Sequence, residues 1–244
     1  MKNCELALVM PVYNEEACIC QVVDAWNDEL TRLGINFQMI VLNDGSTDET
    51  ANKLEYYSNN PRIDFINKAN SGHGPTILEG YSIAVQHAEW IFQVDSDNEM
   101  SHSNFNSLWQ QREGYVALFG CRIGRQQNIG RKYISSVSRM TVKLLFGQGV
   151  VDVNTPYRLI RSSILTEIIK QIPLNTFAPN ILISGVIAAS GHKFINLPVP
   201  HEGRKTGVIS IVKWRLWKAA ILSLFQTISF RVKQPKQRVA SCCI

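Results

Sequence analysis

The chain has 244 residues, 45% hydrophobic and 18% charged, the make-up of a globular protein; it excludes a disordered chain, a collagen-like repeat and a disulfide miniprotein. Its length allows one large domain or at most two small ones, with enough core to fold without staples. The net charge of +5 hides an asymmetry: residues 1–121 carry 6 basic and 17 acidic side chains, and residues 122–244 carry 19 basic and 3 acidic.

The first half alternates short apolar runs with helical patterns. Residues 6–10 form an apolar run that ends at Pro11. Residues 15–33 place Val22, Val23, Trp26, Leu30 and Leu33 at helical spacing. Residues 37–42 are a second run, closed by Asn43, Asp44, Gly45 and Ser46, and Asp48 is a cap for a helix over 49–57. A short run at 63–66 leads through a Gly-containing turn at 70–74 to a helix over 75–88. Runs at 90–94 and 115–120 complete the series. Strands alternating with helices predict an α/β fold with a mostly parallel, Rossmann-like sheet flanked by helices. Such sheets bind ligands beyond the carboxyl ends of their strands, where this chain places its polar clusters.

The second half is less regular. Residues 123–132 are polar and basic and read as a mobile loop; 133–146 are helical in pattern; 150–160 look extended around Pro156. Helices are expected near 162–172 and 180–189, and a strand at 194–199. The uncharged stretch 171–192 is broken by Pro173, Asn175, Pro179 and Asn180, which argues against a spanning helix.

Residues 209–231 stand apart. At helical spacing Trp214, Trp217, Ile221, Leu224, Phe225 and Ile228 share an arc, with Ser223, Gln226 and Thr227 opposite. Two readings fit: an amphipathic helix lying on an anionic membrane surface, or a C-terminal helix docked on the core; the lack of acids favours the membrane. The division expected is therefore a catalytic domain over 1–208, the amphipathic helix over 209–231 and a basic tail over 232–244.

Six cysteines show no paired CxxC spacing, which disfavours a zinc site. The first residues lack the apolar run of a signal peptide, so free thiols in a cytoplasmic protein are expected.

Asp95-Ser96-Asp97 directly follows the run at 90–94. Residues two apart at a strand end project to the same side. Their carboxylates repel unless a cation intervenes, and oxygen-only ligation suits Mg²⁺ or Mn²⁺ bridging to a diphosphate. Glu99 adds a third carboxylate nearby. Asp44 serves either as a turn and helix cap or as a hydrogen-bond acceptor for a ribose or base edge. Neither GxGxxG nor GxxxxGK[ST] occurs, which disfavours a dinucleotide site or a P-loop. Asp152 is the one acid between Glu113 and Glu167, a candidate base or a structural partner of a nearby arginine.

The run Met10-Pro11-Val12-Tyr13-Asn14-Glu15, together with Asn43-Asp44-Gly45-Ser46, His73-Gly74 and Asp95-Ser96-Asp97, resembles the nucleotide-sugar domain of family 2 glycosyltransferases. Gly120-Cys121-Arg122, residues 152–158 and His201-Glu202-Gly203-Arg204 with Gly207 and Ser210 resemble its dolichyl-phosphate mannose synthase branch. The resemblance implies a GT-A fold and inverting transfer from a nucleoside-diphosphate sugar. By it, Pro11, Tyr13, Glu15, Asp44, His73 and Ser96 would hold the donor, and Asp95, Asp97 and Glu99 the metal. Arg204 would meet the donor diphosphate; Arg122, Arg131 and Ser135 would meet an acceptor phosphate. Asp97, Arg204 and Asp152 would be the catalytic set. The chain departs at Asn43, where the family usually has an acid, and at Pro156, where the branch commonly has Gly. The acceptor implied is a polyprenyl phosphate at the cytoplasmic membrane face; the alternative is a hydroxyl of a lipid-linked glycan or other saccharide. A nucleic-acid partner is not expected, because duplex binding gives no reason for three acids at a strand end.

Overall fold

The computed structural model describes residues 3–124, 129–147, 149–201 and 213–233, without the side chains of 129–135, 213–217, 219, 220 and 233. The chain runs β1 (Cys4–Val12), α1 (Ile19–Arg32), β2 (Phe37–Asp44), α2 (Thr50–Glu55), β3 (Ile63–Lys68), α3 (His73–His87) and β4 (Ala88–Gln93). A 3₁₀ turn at His102–Asn104 leads to α4 (Phe105–Gln110), then β5 (Ala117–Ile123) and α5 (Ile129–Phe146). The remainder is β6 (Arg158–Arg161), α6 (Ser162–Ile169), α7 (Pro179–Ala189), β7 (Phe194–Pro200) and α8 (Lys213–Lys233).

The seven strands form one sheet in the order β3-β2-β1-β4-β6-β5-β7. All pairings are parallel except those of β6, which runs antiparallel to both β4 and β5. The parallel half has helices on both faces, so β1 is apolar on both. Leu6, Leu8 and Met10 join Trp26, Leu30 and Phe92 in one core. Ala7 and Val9 join Ile77, Leu78 and Tyr81 in the other. Phe92, Phe105 and Tyr157 close the first core, with ring centroids 4.7–4.8 Å apart in edge-on pairs.

Several elements differ from expectation. Helix α1 begins at Ile19 rather than residue 15, because Asn14 takes a left-handed φ of 54° and the intervening turn is tied to the loop after β2. The extended stretch at 150–160 yields a strand only from Arg158; Pro156 has no N–H to give a ladder. Helix α5 starts at Ile129, inside the segment read as a loop. Helix α4 was not anticipated, being six residues long with no side-chain cap.

Helix α8 docks on the domain with its polar side inward. Ser223 and Thr227 are buried with Phe230, whereas Ile221, Phe225 and Ile228 face outward. Arg231 Nε donates to the Leu145 carbonyl of α5, and Gln226 bonds the backbone of Phe177 and Asn175. Trp214 and Trp217, expected on the apolar arc, have side chains outside the described residues, as does the tail beyond residue 233. Among the described residues no helix is long and apolar enough to cross a membrane.

Gly74, in the first turn of α3, lies against the carbonyl oxygens of Thr176 and Phe177. A methyl group there would meet backbone atoms that cannot rotate away. Gly74→Ala is expected to cost about 1–3 kcal/mol, a fall of several degrees in the calorimetric midpoint. An unchanged midpoint would show that loop 173–178 is not seated on α3.

Candidate active site

Three strand ends meet at the carboxyl edge of the sheet. Beyond β1, Tyr13 is exposed and Glu15 buried. The turn they occupy is knitted to the loop after β2: Asn14 N donates to Ser46 Oγ, Glu15 N to Thr50 Oγ1 and Glu16 N to Asp48 Oδ2. Asp48 also accepts from Thr50 N, although the N-cap of α2 is Glu49 and not Asp48 as the sequence suggested. Pro11 is buried within β1 opposite Leu42.

Asp44 ends β2 almost fully buried. Its Oδ1 accepts from Lys68 Nζ and Ser71 N, both at 2.8 Å, and its Oδ2 from Gly72 N at 2.9 Å. Burial alone would raise its pKa, but Lys68, Ser71 N and Thr76 outweigh that and hold it below the ordinary carboxylate range. The carboxylate thus ties β2 to the loop that begins α3. Oδ2, with one donor among the described residues, has room to accept from a ligand. Asn43, the departure from the family's paired acids, bonds Asn67 and Ser46 instead.

His73, the first residue of α3, sets Nε2 3.7 Å from Asp95 Oδ1. Asp95 follows β4, and this Oδ1 is buried with no hydrogen-bond partner among the described residues. Ser96 is buried, its carbonyl accepting from the Cys18 thiol. Asp97 Oδ1 accepts from Glu99 N at 3.1 Å across Asn98, which has a φ of 56°. Asp95, Asp97, Glu99, Arg122, Pro156 and His201 line one recess.

The three acids do not form a closed metal triad. Glu99 Oε2 lies 2.9 Å from His201 Nε2. Among the described residues no three His, Cys, Asp or Glu side chains converge to hold an ion. Asp95 and Asp97 could still hold an ion as oxygen ligands, and the buried Asp95 Oδ1, without a hydrogen bond among the described residues, is the feature that fits a hard cation. Mg²⁺ and Mn²⁺ keep water and substrate oxygens in their shells, so two protein carboxylates suffice.

Across the recess Arg122 pairs with Asp152 through both Nε (2.6 Å) and Nη2 (2.9 Å). Burial would lower the Arg122 pKa, but Asp152 outweighs it and keeps the guanidinium charged. Its Nη1 makes no hydrogen bond among the described residues. Arg131 and Ser135 fall on α5 with side chains outside the described residues, and Arg204 lies outside them altogether.

Sequence reasoning missed Arg158, which is fully buried in β6 with no ion-pair partner among the described residues. Nε donates to the Thr155 carbonyl, Nη1 to that of Asn180 and Nη2 to that of Val153. Burial pushes its pKa down to about 10. The side chain pins the 152–156 segment that carries Asp152 and Pro156 to helix α7. Arg158 stands between Tyr157 and Leu159, and a charge inside a short apolar run reads as an exposed position, so no local pattern announces its burial. The His201–Glu99 contact, 102 positions apart, likewise had no signal beyond the histidine's place near Arg204.

Asp44→Asn is expected to destabilise the protein by about 1–3 kcal/mol at neutral pH. The folded pKa is depressed, so this stability is fully present above the unfolded value of about 3.9. It is lost as pH falls through the lower folded value. Urea unfolding of both proteins across an acid pH series should show the gap closing; a gap independent of pH would remove the carboxylate charge from the account.

Comparison with known proteins follows the same lines. A family profile described as "Glycosyl transferase family 2" matches residues 7–169. An uncharacterized glycosyltransferase of Synechocystis sp. is 27% identical over 231 residues, 91% of this chain and 69% of that protein. The undecaprenyl-phosphate 4-deoxy-4-formamido-L-arabinose transferase of Pectobacterium atrosepticum is 24% identical over 83% of this chain. The chain spans only 61% of that relative's length. Glucosyl-3-phosphoglycerate synthase from Mycobacterium tuberculosis, solved with Mn²⁺, uridine diphosphate and phosphoglyceric acid, superposes with a TM-score of 0.69. That match covers 96% of this chain and 80% of that one at 17% identity, a likeness of fold. The fold is GT-A, and with well over half its length matched by the family profile the chain belongs to glycosyltransferase family 2.

Proposed function

We propose that the chain moves a single sugar, with inversion, from a nucleoside-diphosphate sugar to a polyprenyl phosphate at the cytoplasmic face of a membrane, using Mg²⁺ or Mn²⁺. The observation that carries this reading is the make-up of one recess, with Asp95 and Asp97 on one side and Arg122 on the other. Transfer builds negative charge on the departing diphosphate. A cation held by Asp95 and Asp97 would supply the stabilisation of that charge. Asp44 and the exposed Tyr13 border the neighbouring strand ends, where the nucleoside would lie.

The acceptor side favours a phosphate. An ionised phosphate needs no strong base, whereas a hydroxyl needs one within hydrogen-bond reach. Asp152, the candidate base, has both carboxylate oxygens engaged by Arg122. Arg122 keeps Nη1 for an anionic acceptor, and Arg131, Ser135 and Arg204 are further candidates for phosphate contacts. The outward apolar arc of α8 supports a peripheral position on an anionic membrane surface.

Transfer from common nucleotide sugars to a polyprenyl phosphate should be measured with Mg²⁺ or Mn²⁺. Asp97→Ala is expected to lower the metal-dependent rate about 100-fold or more; undiminished turnover in excess chelator would contradict the assignment. Arg122→Gln should raise KM for the polyprenyl phosphate more than for the donor. Turnover with saccharide hydroxyls and none with the lipid phosphate would establish the alternative acceptor.

A further inference from the structure

Away from the recess, exposed apolar side chains occur on segments that are bonded to one another. Phe225 of α8 is 69% exposed, with Ile221 and Ile228 beside it on the outward arc. Loop 173–178, between α6 and α7, exposes Leu174 at 75% and Phe177 at 40%. Helix α5 exposes Leu144 at 77%. Gln226 of α8 accepts from Phe177 N at 2.9 Å and donates to the Asn175 carbonyl at 3.3 Å. Arg231 joins α8 to the Leu145 carbonyl, its guanidinium over the Phe146 ring. Single exposed apolar residues are ordinary; a set on mutually bonded segments marks an interaction surface.

Charge identifies the occupant. Residues 123–151, 168–201 and 203–244 contain no Asp or Glu, and these stretches supply every segment of the surface. Arg139 and Lys143 on α5 and Lys218 on α8 are exposed. Apolar side chains among basic residues, with no acid, complement anionic headgroups above acyl chains. The inward polar face of α8 agrees: a helix that completed a globular core would turn its apolar side in.

We propose that loop 173–178 is a second lipid-inserting element, which forms one platform on an anionic bilayer with the outer face of α8. The proposal rests on the membrane reading of α8 and adds a contact from a different part of the chain. Leu174 and Phe177 enter the acyl boundary, while Gln226 holds the loop in register with the helix.

Sedimentation of the full chain with vesicles of phosphatidylcholine and phosphatidylglycerol, against phosphatidylcholine alone, tests it. Leu174→Ser with Phe177→Ser should weaken binding to the anionic vesicles at least tenfold, with donor hydrolysis and melting midpoint unchanged. Ile221→Ser with Phe225→Ser serves as the parallel release variant. Full binding by the loop variant beside release of the helix variant would overturn the loop proposal and leave the membrane reading standing. A wild-type chain that bound neither vesicle would overturn both. A wild-type dimer split by the loop substitutions would assign the surface to a second copy of the chain. Leu174→Trp gives a measurement that tolerates a fragile double variant. Its emission, taken as the difference from wild type, should shift to the blue with anionic vesicles, and no shift would overturn the proposal.

Discussion

Carboxylates gathered at one edge of a sheet repel, and the architecture of this site follows from how each is compensated. Asp44 is held by Lys68 and two backbone amides. Asp152 is held by the fork of Arg122, and Glu99 by His201. Asp95 has His73 at 3.7 Å, and among the described residues its Oδ1 is buried without a hydrogen bond. An orphaned carboxylate oxygen carries a desolvation cost that a cation would relieve. The compensating groups come from elements far apart in sequence, so the same contacts that hold the acids also join the strand ends into one site.

The parallel half of the fold was legible because its signals are local. Apolar runs in β1, β2 and β4 are continuous, as burial on both faces requires, and the polar residues that end them are the candidate site residues. The antiparallel insertion of β6 was not legible. It depends on Pro156 delaying the ladder and on Arg158 gathering carbonyls from Val153, Thr155 and Asn180. A buried arginine satisfied by backbone carbonyls leaves no trace in periodicity or motif. The carboxylate set was legible in its members and not in its partition. Spacing placed Asp95, Asp97 and Glu99 together, but only the fold brings His201 to Glu99.

Helix α8 shows a different limit. Its pattern separates an apolar arc from a polar one, and both expectations for it used that separation correctly. Periodicity does not say which arc meets the protein. Apart from Phe230, which joins the core, the docking contacts are polar: Gln226 to the backbone of loop 173–178, Arg231 to a carbonyl of α5, and buried Ser223 and Thr227. A docked helix and an outward apolar face are therefore compatible, so docking on the domain leaves the proposed membrane contact open to the opposite side of the same element.

Loop 173–178 connects that element to the site. Its backbone bonds Gln226 of α8, and its carbonyls at Thr176 and Phe177 close on Gly74. Gly74 follows His73, whose ring faces Asp95. The absence of a side chain at Gly74 lets the loop approach the start of α3 at backbone distance, so that a run of direct contacts leads from α8 through the loop and α3 to Asp95. A surface that binds through α8 and this loop would thus meet the recess in one orientation. Transfer to an acceptor whose phosphate lies at the surface of a bilayer demands that fixed geometry, since a misplacement of about 1 Å in reacting groups already costs rate.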